Sequence, residues 1–205
     1  MNGFMRKEVF SWGMYDLANT IFSALFVTFF FPLYIKKYLG GNELELGLVF
    51  GLSMIAVGLI VPILGAWSDR MGRRVPFIIF FTSASCLFVW LVSFASLEIA
   101  LLLGFLANFS YHAALTTYNA LLPTITAKKE LGRVSGTGAA MGYVGTIIAL
   151  FIAGAILSTL GWETKQGVEA IFAATALLFF FFSLPIFFLR EKKKSTGDFS
   201  QSIHD

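Results

Sequence analysis

Six runs of about 20 or more mostly apolar residues, each long enough to cross a bilayer as a helix, follow one another along this chain. They cover 10–34, 44–67, 75–95, 97–122, 134–160 and 168–189, joined by short polar links. In hydrocarbon every backbone N–H and C=O must find its partner inside the protein, so spans of this kind fold as helices. A mean hydropathy of +0.78, with 57% hydrophobic and 13% charged residues, excludes a soluble domain. The short links predict that consecutive helices are antiparallel neighbours. Residues 1–190 thus read as one all-α six-helix transmembrane bundle, and 191–205 as a polar, solvated cytoplasmic tail.

The 15 basic residues fix the expected orientation. With the N-terminus inside, Arg6, Lys7, Arg70, Arg73, Arg74, Lys128, Lys129, Arg133, Arg190, Lys192, Lys193 and Lys194 are cytoplasmic, and only Lys36, Lys37 and Lys165 lie outside. Both termini are expected in the cytoplasm, with the chain in a bacterial or archaeal plasma membrane. Trp12 and Trp67 fall near the inner interface and Trp90 and Trp162 near the outer one. The basic residues sit at helix ends and form no patch, so the net charge of +3 reads as topology and not as nucleic-acid binding. Arg6 and Lys7 before an apolar run imitate a signal peptide, but Asp16 and Asn19 interrupt the run and no small-residue cleavage site follows. The first span is read as retained.

Polar groups inside a span are costly and mark function by default. The first span sets Asp16, Asn19, Thr20 and Ser23 three and four residues apart, one polar stripe on an apolar helix. Asp16 lies about 9 Å inside the span at the usual helical rise. It reads either as a structural carboxylate paired to a neighbouring helix or as a ligand for substrate or coupling ion. The fourth span carries Asn108, His112, Thr116 and Asn119, with Tyr111 and Tyr118 alongside. His112, near mid-span, either relays a proton or binds an anionic group, or is a neutral imidazole bonded between helices. Asn108-Phe109-Ser110 matches a glycosylation acceptor only formally, since it lies at membrane depth.

In the fifth span Gly138, Gly142, Gly145, Ala149 and Ala153 leave one face nearly bare, which suits close helix packing. Gly47, Gly51, Gly58, Pro62 and Gly65 give the second span a similar character. The single cysteine, Cys86, excludes an intramolecular disulfide and a cysteine metal site. With no paired carboxylates, no nucleophile with a base and no phosphate loop, the reading is not an enzyme, without cofactor or metal.

Between the second and third spans runs Gly65-Ala66-Trp67-Ser68-Asp69-Arg70-Met71-Gly72-Arg73-Arg74. Glycine permits a sharp turn, the arginines hold it in the cytoplasm, and Asp69 needs a cationic or backbone N–H partner. The segment resembles the G-x-x-x-D-R-x-G-R-R signature between helices 2 and 3 of the major facilitator superfamily. Ser11 to Asn19, Tyr118-Asn119-Ala120-Leu121-Leu122-Pro123 and Ser135 to Gly145 are similar to the vacuole-effluxer-like branch, which includes autophagy-related amino-acid effluxers. The resemblance implies the N-terminal half of the fold, a 3+3 inverted repeat, with Asp16, Asn19, Tyr118 and Asn119 near the cytoplasmic end of a central cavity. Drug and proton antiporters carry R-x-x-x-G in the fourth helix. No arginine occurs here between Arg74 and Arg133.

A complete member has twelve helices, in two halves that bind substrate between them. A lone half leaves its polar faces in lipid, so the expected state is a homodimer burying the polar and small-residue faces of spans 1, 2, 4 and 5. A different six-helix partner chain, or a fragment of a longer protein, are the alternatives. The function that follows is half-size secondary transport of an amino acid or other small metabolite; a scaffold or accessory subunit without transport is the rival. The resemblance further implies a cytoplasmic gate of Asp69, Arg70, Arg73 and Arg74. There Asp69 meets the partner's fifth helix near Val134 to Gly138, and Arg73 pairs with Asp69.

Overall fold

The computed structural model describes residues 3–189 and 191, and among them every regular element is helical. The first span is composite: α1 (Gly3–Phe22), a π-helical stretch (Ser23–Phe30) and α2 (Phe31–Tyr38). One span each comes from α3 (Glu43–Met71), α4 (Val75–Val92), α5 (Leu97–Ile125), α6 (Leu131–Leu160) and α7 (Lys165–Phe187). Six helices are thus long and apolar enough to cross a membrane, and the chain is an integral, multi-pass membrane protein. Residues 192–205 of the predicted tail lie outside the described residues.

Local chemistry sets the breaks. Pro32 has no N–H for the carbonyl four residues back, and its ring crowds that turn. The helix widens just before it, and the Phe31 N–H reaches back five residues to the Phe26 carbonyl. Asn42 starts α3 with a capping box, its Oδ1 accepting from the Glu45 N–H at 3.0 Å while its own N–H donates to Glu45 Oε2 at 2.9 Å. Gly72 ends α3 at φ +62°, a left-handed conformation that other residues adopt at a cost.

The packing overturns the expectation that consecutive helices are neighbours throughout. It holds for α4 and α5, but α3 packs mainly on α5, and α1 lies against α6 and α7, with α4 also on α7. Small residues decide the α1–α6 pairing. A Cβ built on Gly138 would stand 2.2 Å from the Trp12 ring, and one on Gly145 would stand 2.5 Å from the Leu17 carbonyl oxygen. The bare face of α6 is therefore consumed inside the chain, which corrects the expectation that Gly138, Gly142 and Gly145 are buried by a second copy.

An aromatic core ties α1 to α5 and α7. The Phe22 ring centroid lies 4.6 Å from Tyr111 and 5.0 Å from Phe179, and Trp12 stacks on Tyr118 at 4.8 Å. Trp12 is buried in this core and is not an interfacial belt residue, whereas Trp67, Trp90 and Trp162 are exposed. The outward surface is carried largely by α3, with Leu48, Leu52, Ile55, Leu59 and Ile63, and by α6, with Tyr143, Ile147 and Phe151. At the end away from the hinge, Tyr34 donates to Glu169 at 3.0 Å and Lys36 pairs with Glu43 at 2.6 Å.

Candidate solute site and hinge

In the first span the Thr20 hydroxyl donates to the Asp16 carbonyl at 2.9 Å and the Ser23 hydroxyl, at the start of the π-helical stretch, to the Thr20 carbonyl at 3.3 Å. The Asp16 carboxylate and the Asn19 amide remain. Asp16 is half-buried, and among the described residues its carboxylate makes no hydrogen bond or ion pair. It lies beside Gly142, where a built Cβ would stand 3.6 Å from Oδ2. One turn on, Asn19 is only 3% exposed, and neither Oδ1 nor Nδ2 has a partner among the described residues. Two polar groups one helical turn apart are thus left without a partner among the described residues.

The polar groups of α5 divide. Tyr111 turns to α1, its hydroxyl donating to the Asn19 carbonyl at 3.5 Å, and half-buried His112 packs edge-on to it at 4.8 Å. Asn108 turns to α3 and donates from Nδ2 to Ser53 Oγ at 2.7 Å, leaving Oδ1 unpartnered. Tyr118 is fully buried between rings of α1, its hydroxyl donating to the Trp12 carbonyl at 3.0 Å. Asn119 is exposed. Asp16, Asn19 and Tyr111 thus come together, His112 touches its chain neighbour Tyr111, and Asn108 and Tyr118 bond from α5 to α3 and α1.

At the hinge, the Gly72 N–H returns to the Asp69 carbonyl and the Arg73 N–H to the Ser68 carbonyl, closing α3. Asp69 accepts from the Arg74 guanidinium at 2.6 Å. This corrects the expected Asp69–Arg73 pair. The turn of α3 at Gly72 leaves Arg70 and Arg73 exposed, while the half-buried Arg74 side chain faces back across the turn. A cavity of about 300 Å³ runs from this pair between α3 and α5, lined by Gly65, Ser68, Thr116 and Thr117 among others.

Sequence reasoning missed three connections. Ser53 holds Asn108, and Thr82 meets the Tyr15 hydroxyl at 2.6 Å; small hydroxyls scattered in apolar helices give no spacing signal. Glu191, assigned to the solvated tail, instead accepts hydrogen bonds from the Arg74 and Val75 N–H groups at the start of α4. One acid in a basic run gives no hint of that.

Residues 17–203 match the family described as the Major Facilitator Superfamily. The chain is 29% identical to an "Uncharacterized MFS-type transporter YxiO" of Bacillus subtilis (strain 168), over 85% of this chain and 42% of that protein. It is 31% identical to an "Uncharacterized protein" of Aquifex aeolicus (strain VF5), over 88% and 45%. It is also 30% identical to a "Multi-drug resistance efflux pump PmrA homolog" of Lactococcus lactis subsp. lactis (strain IL1403), over 79% and 39%. The chain therefore spans less than half the length of these curated relatives. No solved structure shows a significant match. With six membrane-length helices in the arrangement of half a facilitator fold, the chain belongs to the Major Facilitator Superfamily.

Proposed function

We propose that this bundle is one half of a secondary active transporter for a small solute carrying a cationic group, an amino acid or another small amine-bearing metabolite. The carrying observation is Asp16 beside Asn19: among the described residues, a carboxylate inside the membrane with no ion pair, next to a buried amide with no partner. No Lys or Arg lies in the interior of any span, so this half-site attracts cations and repels anions. On α5, His112 packs against Tyr111, whose hydroxyl reaches the Asn19 carbonyl. The similarity of 11–19, 118–123 and 135–145 to the vacuole-effluxer-like branch supports the amino-acid class.

Alternating access needs a second bundle across the Asp16 stripe. The simplest source is a second copy of this chain, facing it through the outward surfaces of α3 and α6. That membership in relatives of more than twice this length favours two bundles keeps a different second chain, or a continuation of this one, as the other source. The hinge end faces the cytoplasm in this reading, since twelve of 15 basic residues lie at that end. A scaffold without transport has no use for an unpaired Asp16.

Uptake of labelled amino acids and amines into proteoliposomes tests the reading. Cationic or zwitterionic solutes are expected to accumulate, with Asp16→Asn and His112→Ala losing transport while expressing normally. Full transport by both variants reduces both residues to structural roles.

A further inference from the structure

We propose that Glu191 straps the segment following α7 onto the α3–α4 hinge, so that docking of this segment and the Asp69–Arg74 ion pair form and break together. The observation is a convergence on Arg74. Its N–H donates to Glu191 Oε1 at 2.8 Å and Oε2 at 2.7 Å, the Val75 N–H donates to the same carboxylate, and the Arg74 guanidinium donates to Asp69 at 2.6 Å. Three parts of the chain, more than 100 residues apart at the extremes, meet on one residue.

The strap fills a defined gap. The first N–H groups of a helix have no acceptor within it. In α4, Pro76 has no N–H, and those of Phe77 and Ile78 return to the Arg74 carbonyl at 3.0 and 3.2 Å. That leaves the amides of Arg74 and Val75, and Arg74, as N-cap, offers no side-chain acceptor. Glu191 takes both and sets its negative charge at the positive end of the helix. The tether is short, since α7 ends at Phe187 and packs against α4, with the Leu189 N–H still bonded to the Ile186 carbonyl. A shift of a few ångströms at residue 191 therefore uncaps α4.

Uncapping reaches the ion pair through one residue. The Arg74 main chain held by Glu191 also aims its guanidinium, whose Nε is buried without a partner among the described residues. Once its main chain is released, Arg74 loses the fixed geometry that keeps it on exposed Asp69. By reciprocity, losing Asp69 must loosen the docked segment. This coupling does not depend on which solute is carried.

Hydrogen exchange on the full chain in nanodiscs, followed at the amides of Arg74 and Val75, decides it. Glu191→Gln is expected to speed exchange there by about tenfold or more, the scale of a lost charge-assisted hydrogen bond. Asp69→Asn, which touches neither amide, is expected to speed the same amides several-fold, and the double variant to exceed Glu191→Gln by little, with α6 unchanged in all three. Unchanged exchange in Asp69→Asn, or two effects that simply multiply in the double variant, overturns the coupling. Should Glu191→Gln fail to fold, the Asp69→Asn arm decides alone, because that side chain is largely exposed.

Discussion

Gly145 of α6 lies directly on the main chain of Leu17 in α1, close enough that a methyl group on Gly145 would stand 2.5 Å from the Leu17 carbonyl oxygen. Both partners at that point are backbone and neither can rotate away. The contact fixes the distance between the helix bearing Asp16 and the helix covering it.

Gly145→Ala is accordingly expected to destabilise the bundle by about 1–3 kcal/mol, the usual cost of overpacking a tight core. Gly154→Ala, on the open face of the same helix with nothing within 4 Å, is expected to be neutral or slightly stabilising. Thermal unfolding in one detergent compares the two. Equal melting points would mean that α1 and α6 are not in this close contact.

Tyr118 and Asn108 are expected to behave as joints. Tyr118→Phe loses one hydrogen bond to the Trp12 carbonyl, and Asn108→Ala the link to Ser53; each is expected to cost about 0.6 kcal/mol, the average for such bonds between membrane helices. Solute affinity per folded molecule should stay unchanged in both. A variant with normal stability and lost transport would return that residue to the solute site.

Two bundles should be present in the working unit. Mass measurement of the purified chain in lipid nanodiscs is expected to give a dimer, and substitutions on the outward face of α3, such as Gly51→Phe, to dissociate it. A stable monomer that transports contradicts the assembly.

The sequence and the structure agree where one physical constraint acts alone. Span length against bilayer thickness gives all six helices. What sequence periodicity does not carry is direction around a helix packed on several sides. Asn108 and His112, four residues apart, read as one stripe, yet Asn108 serves α3 and His112 packs on Tyr111. Likewise Trp12 sits where a belt residue would, and only tertiary stacking on Tyr118 withdraws it into the core. Arg74 and not Arg73 meets Asp69 because Gly72 sets the turn, a consequence of its positive φ that the charge count does not contain.

The central claim is that the Asp16 stripe lines an aqueous solute pathway. It is tested most directly by thiol accessibility in proteoliposomes, with Cys86 replaced by serine and a single cysteine placed at Asp16. Leu177→Cys, on the exposed face of α7, serves as the lipid-facing control. A membrane-impermeant maleimide is expected to label Asp16→Cys readily and the control hardly at all, with the rate falling when transported solute is present. Labelling of Asp16→Cys as slow as the control from both sides of the membrane would contradict the account.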